Sequence, residues 1–283
     1  MLIIENTKVY GFEEAIRGMR NPLNSWQKSD SWFSSFGGQS YHKITGECCD
    51  MFDLFDLDEL IQDHILGPND KDLMKRLASA GKDHAKYRRM IVVYADLIAP
   101  LYWWKEYDTY KVGTVANSCS TMHKIQAKEF TLDDFSHEHL DDAETCCEED
   151  VGDPSLNPCY TSLDILKLKI KALNYWRDRY NETKDKHAWY QMIQLLDSSY
   201  NQRRTVMLNY EVLANIYHSR RNHKLDCWHT FCDWIEGLPE SWIMPLWASA
   251  STVASRRRIS QRISSPLPVL WPWSPENPLT AAR

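Results

Sequence analysis

The 283-residue chain has no apolar run long enough to cross a bilayer, which takes about 18 or more such residues. The longest candidate, MIVVYADLIAPLYWW at 90–104, is interrupted by Asp96 and divided by Pro100, so no membrane span is expected. The opening MLIIENTKVYGFEEAIRG is apolar for only three residues after Met1 and has no cleavable signal pattern. Cysteine is sparse, at 8 residues, too few for a disulfide scaffold. Cys48–Cys49 and Cys146–Cys147 are adjacent pairs, poorly placed to bridge each other, so reduced thiols in a cytoplasmic protein are expected. Long basic stripes are missing ahead of the C-terminal tail and the formal charge is −6, which weighs against duplex DNA as a partner.

What is present is a chain for a folded protein, 43% apolar and 25% charged, long enough for one large domain or two smaller ones. MLIIENTKVYGF has the pattern of a short strand and turn, and the polar, aromatic stretch 21–40, with Pro22 and Gly37–Gly38, that of a loop or ligand-facing segment. Leu73, Met74, Leu77 and Ala80 predict a helix ending at Gly81. A second helix is expected over 83–98 through Tyr87, Met90, Ile91, Tyr94 and Ile98, with Pro100 opening a further one. The acidic region 126–158 predicts a short helix and a solvated loop. Helices are then expected over 162–185, 186–200, 201–223 and 225–239, the last ended by Gly237 and Pro239. The pattern is mostly helical, and its signal for a sheet is weak.

The last 35 residues change character, with four arginines between 256 and 262 and four prolines before residue 276. We expect a domain over 1–240 and a separate, flexible tail over 241–283. Arg256–Arg258 and Arg262 would bind nucleic acid only if that tail became ordered on binding.

Metal ligation has little support. His218, His223, Cys227, His229 and Cys232 lie close in sequence, but no CxxC or HExxH spacing organises them, and no metal is expected. Cys119 and Ser120 lie on a polar stretch without an elbow motif or triad spacing. The basic residues say more: Lys105, Lys111, Arg203, Arg204 and Arg220 sit beside strongly apolar segments, where a guanidinium with aromatic neighbours suits a phosphate or a planar heterocyclic oxyanion. Arg221 and Lys224 have the character of a solvated face. Asn209 precedes Arg220 by eleven residues, close to three helical turns, so both are expected to face one cleft.

Two blocks together carry a resemblance. PLYWWKEYDTYKVGTVANSCSTM at 100–122 resembles the flavin-binding segment of the flavin-dependent thymidylate synthases, and LNYEVLANIYHSRRNHKLDCWHTFCDWI at 208–235 is similar to that family's late helix. The resemblance implies an α+β fold, mainly helical with a mixed sheet, in a homotetramer whose sites form between subunits. It implies FAD bound through Thr109, Tyr110, Lys111, Thr114 and Asn209, and a pyrimidine nucleotide bound through Lys105, Glu106, Asn117, Cys119 and Thr121. Arg220 matches the arginine that activates the uracil ring. The implied reaction is one-carbon transfer to C5 of deoxyuridine monophosphate, with NADPH and methylenetetrahydrofolate as co-substrates. Lys111 of one subunit would lie across from Asn209 and Arg220 of another.

The departures are chemical. Thr109-Tyr110-Lys111 stand where the family has Arg-His-Arg, which removes bidentate donors from the diphosphate site. Glu211 replaces an arginine that holds flavin, and Thr121 another that grips the nucleotide phosphate. Two functions follow as expectations: the flavin-dependent reaction, or a non-flavin nucleotide-binding or interaction protein on the same fold.

Overall fold

The computed structural model describes residues 1–33, 64–141, 143–147 and 159–244. The stretch 34–40 of the expected loop, the segment 148–158 and the arginine-rich tail lie outside the described residues. So does most of the expected second domain; Ile243 and Met244 are buried in the main core.

Strand β1 (Ile3–Tyr10) ends at Gly11, whose φ of 94° lets the chain turn into α1 (Phe12–Arg20). Short strands β2 (Trp32–Phe33) and β3 (His64–Ile65) pair antiparallel. Helix α2 (Pro68–Ser79) follows, with Pro68 in its first turn and Leu73 and Met74 buried as expected.

The expected helix over 83–98 is corrected. Residues Ala85–Arg89 form a single 3-10 turn, and β4 (Val92–Pro100) follows. The apolar residues fit a helical period, but the buried ones alternate: Val93, Ala95, Leu97 and Ala99 enter the core, while Tyr94 is exposed. The β-branched run Ile91-Val92-Val93 favours the extended form once a sheet neighbour is available. Pro100 stands immediately before α3 (Leu101–Tyr107). The first amides of α3 have no side-chain cap; those of Leu101 and Tyr102 donate to the carbonyls of Tyr200 and Ser198 instead.

Strand β5 (Thr114–Ser118) comes next, then a small hairpin of β6 (Glu144–Cys147) and β7 (Cys159–Thr161). Cys159 is disulfide-bonded, which corrects the expectation of reduced thiols throughout; spacing along the chain does not show which cysteines strands bring together. Cys119, Cys227 and Cys232 are free thiols.

Helices α4 (Ser162–Thr183) and α5 (Lys186–Leu195) form the expected hairpin, capped by Thr161 and Asp185. They enclose a second core of Ile125, Phe130, Phe135, Leu166, Leu173 and Met192.

The expected helix over 201–223 is likewise corrected. Residues Asn201–Asn209 form β8, and α6 (Tyr210–Arg220) begins only after Asn209, whose side chain accepts from the Val212 amide. β8 lies inside the four-stranded sheet, in the order β1-β4-β8-β5, with every neighbouring pair antiparallel. β4 pairs with all of β8 and β5 with its Arg204–Leu208 part, so the sheet takes up the backbone of a strand that opens with the polar run Asn201-Gln202-Arg203-Arg204-Thr205. Helix α7 (Asp226–Glu236) ends at Gly237.

The architecture is α+β. One sheet face, through Val93, Ala95, Leu97, Val206 and Leu208, joins the main core with α1, α3, α6 and α7. Trp103, Trp104, Tyr107, Trp228 and Phe231 form its aromatic centre, with ring centroids 4.7 Å apart between Trp103 and Trp228. Tyr10, Tyr94 and Val115 are exposed. Among the described residues no helix is long and apolar enough to cross a membrane.

Candidate functional site

Helix α3 has two chemically different sides. Trp103, Trp104 and Tyr107 point into the core, so Lys105 and Glu106 are left at its rim. Arg220 is the last residue of α6, and Trp228 lies in the first turns of α7. These three helix ends meet at Glu106.

Arg220 is held on three sides. Its Nη1 donates to Glu106 Oε2 at 2.7 Å and its Nε donates to Tyr110 Oη at 2.9 Å. The guanidinium carbon lies 4.8 Å from the centroid of the Trp228 ring and 5.6 Å from that of Tyr110. A guanidinium over an indole face gains about 0.5–2 kcal/mol, more as water is excluded. Trp228 Nε1 also donates to Glu106 Oε2 at 2.9 Å, and His223 Nε2 lies 3.4 Å from the same oxygen. Arg220 is therefore pre-oriented, and its charge is matched by a carboxylate. Glu106 Oε1 and Arg220 Nη2 have no hydrogen-bond partner among the described residues.

The far end of α6 is a separate place. Asn209 caps the helix and Arg220 closes it, so at 1.5 Å per residue they lie about 16 Å apart along the axis. The expectation that both face one cleft is corrected: helical spacing puts residues on one side without bringing opposite ends together. Asn209 packs instead against Gly113, where a Cβ would come within 2.4 Å of its Nδ2. Gly113 has a φ of 80°, which admits glycine readily. Thr114 Oγ1 donates to the Tyr110 carbonyl at 2.5 Å, and Thr109 Oγ1 to the Glu106 carbonyl at 2.7 Å. Lys111 is exposed, with no ion-pair partner among the described residues.

Glu211 does not stand as a free negative charge. It is buried, and Arg88 Nη2 approaches its Oε2 at 2.7 Å. The charge reversal at this position is thus matched internally by an arginine from the 3-10 turn before β4.

A cleft of about 540 Å³ opens elsewhere, between the 118–121 segment and the start of β8. Cys119 and Thr121 line it with Tyr200, Gln202 and Arg203. The Cys119 carbonyl accepts from Gln202 Nε2 at 2.8 Å, and its amide donates to the Arg203 carbonyl at 2.9 Å. Arg203 is paired with Asp96 at 2.8 Å and Glu5 at 3.0 Å. Hydrogen bonds from Thr205, Arg203 and Asn6 hold the Asp96 carboxyl far below the usual range. Burial raises the Tyr200 phenol to about 12, helped by the nearby Asp134 and Cys119.

The eleven residues singled out from the sequence thus divide by location. Glu106, Tyr110 and Arg220 meet in one cluster, with Lys105 and Thr109 beside it on the same rim. Thr114 and Asn209 mark the opposite end of α6 beside Gly113, Lys111 is exposed between Tyr110 and that end, Cys119 and Thr121 line the cleft, and Asn117 lies on the exposed edge strand β5. Tyr110 and Arg220 touch within one chain, without a second subunit. Sequence reasoning did not assign Trp228 or His223 to this cluster, although the nearness of HSRRNHKLDCW to Arg220 was a usable signal. Arg88 had none, because its partner is 123 residues distant along the chain.

No family model matches the chain, and no curated protein matches it by sequence. Solved structures do match its fold. A structure of thymidylate synthase X (ThyX) from Helicobacter pylori with FAD and dUMP aligns at 12% identity and a TM-score of 0.52. It covers 87% of this chain and 98% of that one. A second structure of the same enzyme, also with FAD and dUMP, aligns at 12% identity and a TM-score of 0.52, over 86% and 97% of the two chains. The UMP/dUMP methylase PolB from Streptomyces cacaoi, bound with 5-Br dUMP, aligns at 13% identity and a TM-score of 0.47, over 87% and 92%. The chain resembles the flavin-dependent thymidylate synthase fold along most of its length.

Proposed function

We propose that this chain is a pyrimidine-nucleotide-binding protein that uses the thymidylate synthase X fold without flavin. The observation that carries the reading is the Arg220 clamp: a guanidinium over Trp228, fixed by Tyr110 and Glu106, beside the α3 segment that the resemblance assigns to the substrate. A planar heterocycle suits such a clamp because an oriented guanidinium offers directed donors to a ring carbonyl. Lys105 and Lys111, both exposed, are the candidates for the nucleotide phosphate.

The residues assigned to flavin do not fit its diphosphate. The Thr109 and Thr114 hydroxyls donate to backbone carbonyls, Tyr110 accepts from Arg220, and the Asn209 carbonyl oxygen caps α6. Lys111 alone of the five carries a charge, where a diphosphate calls for several donors.

The test is binding and spectroscopy on the full chain. Calorimetric titration with deoxypyrimidine monophosphates should give saturable binding that Arg220→Ala abolishes. The purified protein should lack the visible flavin band and should not acquire it on titration with FAD. A flavin band that shifts when dUMP is added would favour the second reading, the flavin-dependent one-carbon transfer that the fold suggests. Self-association belongs to the same proposal, since the resemblance implies a homo-oligomer; light scattering would read a monomer mass if that part is wrong.

A further inference from the structure

Helix α4 is apolar on two sides. Leu166, Ile170, Leu173 and Tyr180 pack into the second core, as an amphipathic helix requires. Turned away from that core, Ile165, Leu168 and Tyr175 stand exposed at 43%, 47% and 58%. With Ala172 and the aliphatic stem of Arg179 they form one line along the helix, in steps of three, four, three and four residues. That spacing is the seven-residue repeat by which one helix packs along another. Single exposed apolar side chains are ordinary on a protein surface, whereas a contiguous row of them marks a contact surface. The helix has 22 residues, about 33 Å at 1.5 Å per residue, so the row can meet a second helix over several turns.

We propose that this row is an interface between two copies of the chain, with α4 packed antiparallel on α4 about a two-fold axis. The interface rests on the self-association named above and is independent of the nucleotide. Charge selects the occupant. Lys171 and Asp178 lie seven residues apart on one flank of the row. Lys171 is exposed, with no ion-pair partner among the described residues. Asp178 accepts from Arg177 through Oδ1, and its second oxygen has no hydrogen bond among the described residues. In an antiparallel pair that sets Ala172 opposite Tyr175 of the second copy, Lys171 comes beside Asp178 of the second copy. The two-fold axis repeats that contact, so one surface supplies both halves of the match.

The same register suits the shapes. Ala172 leaves room for the facing tyrosine ring, and Leu168 meets the aliphatic stem of Arg179. A parallel pair in register would set Arg179 against Arg179, two like charges in one layer. A lipid surface fits less well, because Asp164, Asp178 and Glu182 share the flank with Lys171 and repel anionic headgroups. One helix face is smaller than a standard interface, so dissociation at micromolar concentrations is the expectation.

The experiment is light scattering on the full chain over a concentration series through the micromolar range. The mass should rise with concentration, and Leu168→Glu should weaken that association at least tenfold. Asp178→Lys should weaken it too, because it brings two lysines together, and Lys171→Asp combined with Asp178→Lys should restore it. Circular dichroism checks that each variant keeps its helix content, and the exchanged pair decides the matter even if Leu168→Glu does not fold. An oligomer whose mass Leu168→Glu leaves unchanged, or one that the exchanged pair does not restore, overturns this interface and leaves self-association standing. A single-chain mass at every concentration overturns both. Binding to phosphatidylserine vesicles that Leu168→Glu abolishes, with a single-chain mass throughout, would assign the row to a lipid surface instead.

Discussion

Replacing Glu211 by glutamine should destabilise the protein by about 3–5 kcal/mol, the usual effect of leaving a buried charge without its partner. Arg88 and Glu211 have side-chain exposures of 5% and 10%, so solvent cannot take over the carboxylate's role. The site is already short of hydrogen bonds: Arg88 Nε and Nη1 and Glu211 Oε2 are buried with no hydrogen-bond partner, so the 2.7 Å Arg88–Glu211 contact holds by charge. Against a typical total stability of about 5–15 kcal/mol, the loss is about a fifth or more. At about 2–4 °C per kcal/mol for a chain of this size, it amounts to a fall in Tm on the order of 10 °C. The assay is urea unfolding followed by tryptophan fluorescence, with the slope required to match the parent. Arg88→Met combined with Glu211→Leu should recover most of the loss, since a well-packed apolar pair can replace a buried ion pair without penalty. Glu211→Arg, which restores the residue type of the resembling family, should be worse than Glu211→Gln because it opposes two buried cations. A Glu211→Gln variant within about 0.5 kcal/mol of the parent would refute the reasoning, as that is the range of ordinary surface substitutions.

Asp70 accepts from Arg20 Nε at 2.6 Å, from the Ser29 and Ser31 hydroxyls, and from the amides of Asp30 and Ser31. Burial pushes its carboxyl up, but the bonds from Ser31, Ser29 and Arg20 outweigh it and leave it below the usual value. Its contribution to stability is therefore complete above the unfolded-state value of about 4 and lost as the pH falls through the lowered one. Asp70→Asn should remove that acid-side slope in pH-dependent urea unfolding; an unchanged slope would show that other carboxylates produce it. Gly113→Ala should destabilise by about 1–2 kcal/mol from the left-handed backbone alone, with the clash against Asn209 added, as read by thermal unfolding. Among Cys119, Cys227 and Cys232, a maleimide should label the exposed Cys119 first, because the other two are buried and burial raises the Cys232 thiol to about 11. Peptide mapping that finds Cys232 modified before Cys119 would contradict the burial.

Elements whose signals are local were legible in the sequence. The α4–α5 hairpin follows from Leu166, Ile170, Leu173 and Trp176 at helical spacing; its caps, Thr161 and Asp185, were found in the structure. Helix α7 follows from its apolar face and Gly237. The two central strands were not legible. The apolar residues of β4 fit two periods at once, and β8 opens with five polar residues that only pairing with β4, joined by β5 from Arg204 onward, makes tolerable as a strand. The site divided in the same way. Arg220 and Glu106 were recognisable by residue type and by a resemblance, but their contact across 114 residues was not.

The sequence by itself determined the helical hairpin, the α+β class through its family resemblance, and the roster of residues able to handle a nucleotide. Tertiary structure decided which of those residues meet. It separated Asn209 from Arg220 by the length of α6, matched Glu211 with Arg88, and gathered Glu106, Tyr110, Arg220 and Trp228 into one clamp. The physical reason is that local pattern reports the bonds a segment can make with itself. The partner of a buried or half-buried charge is chosen by packing, and packing brings together residues that the chain keeps far apart.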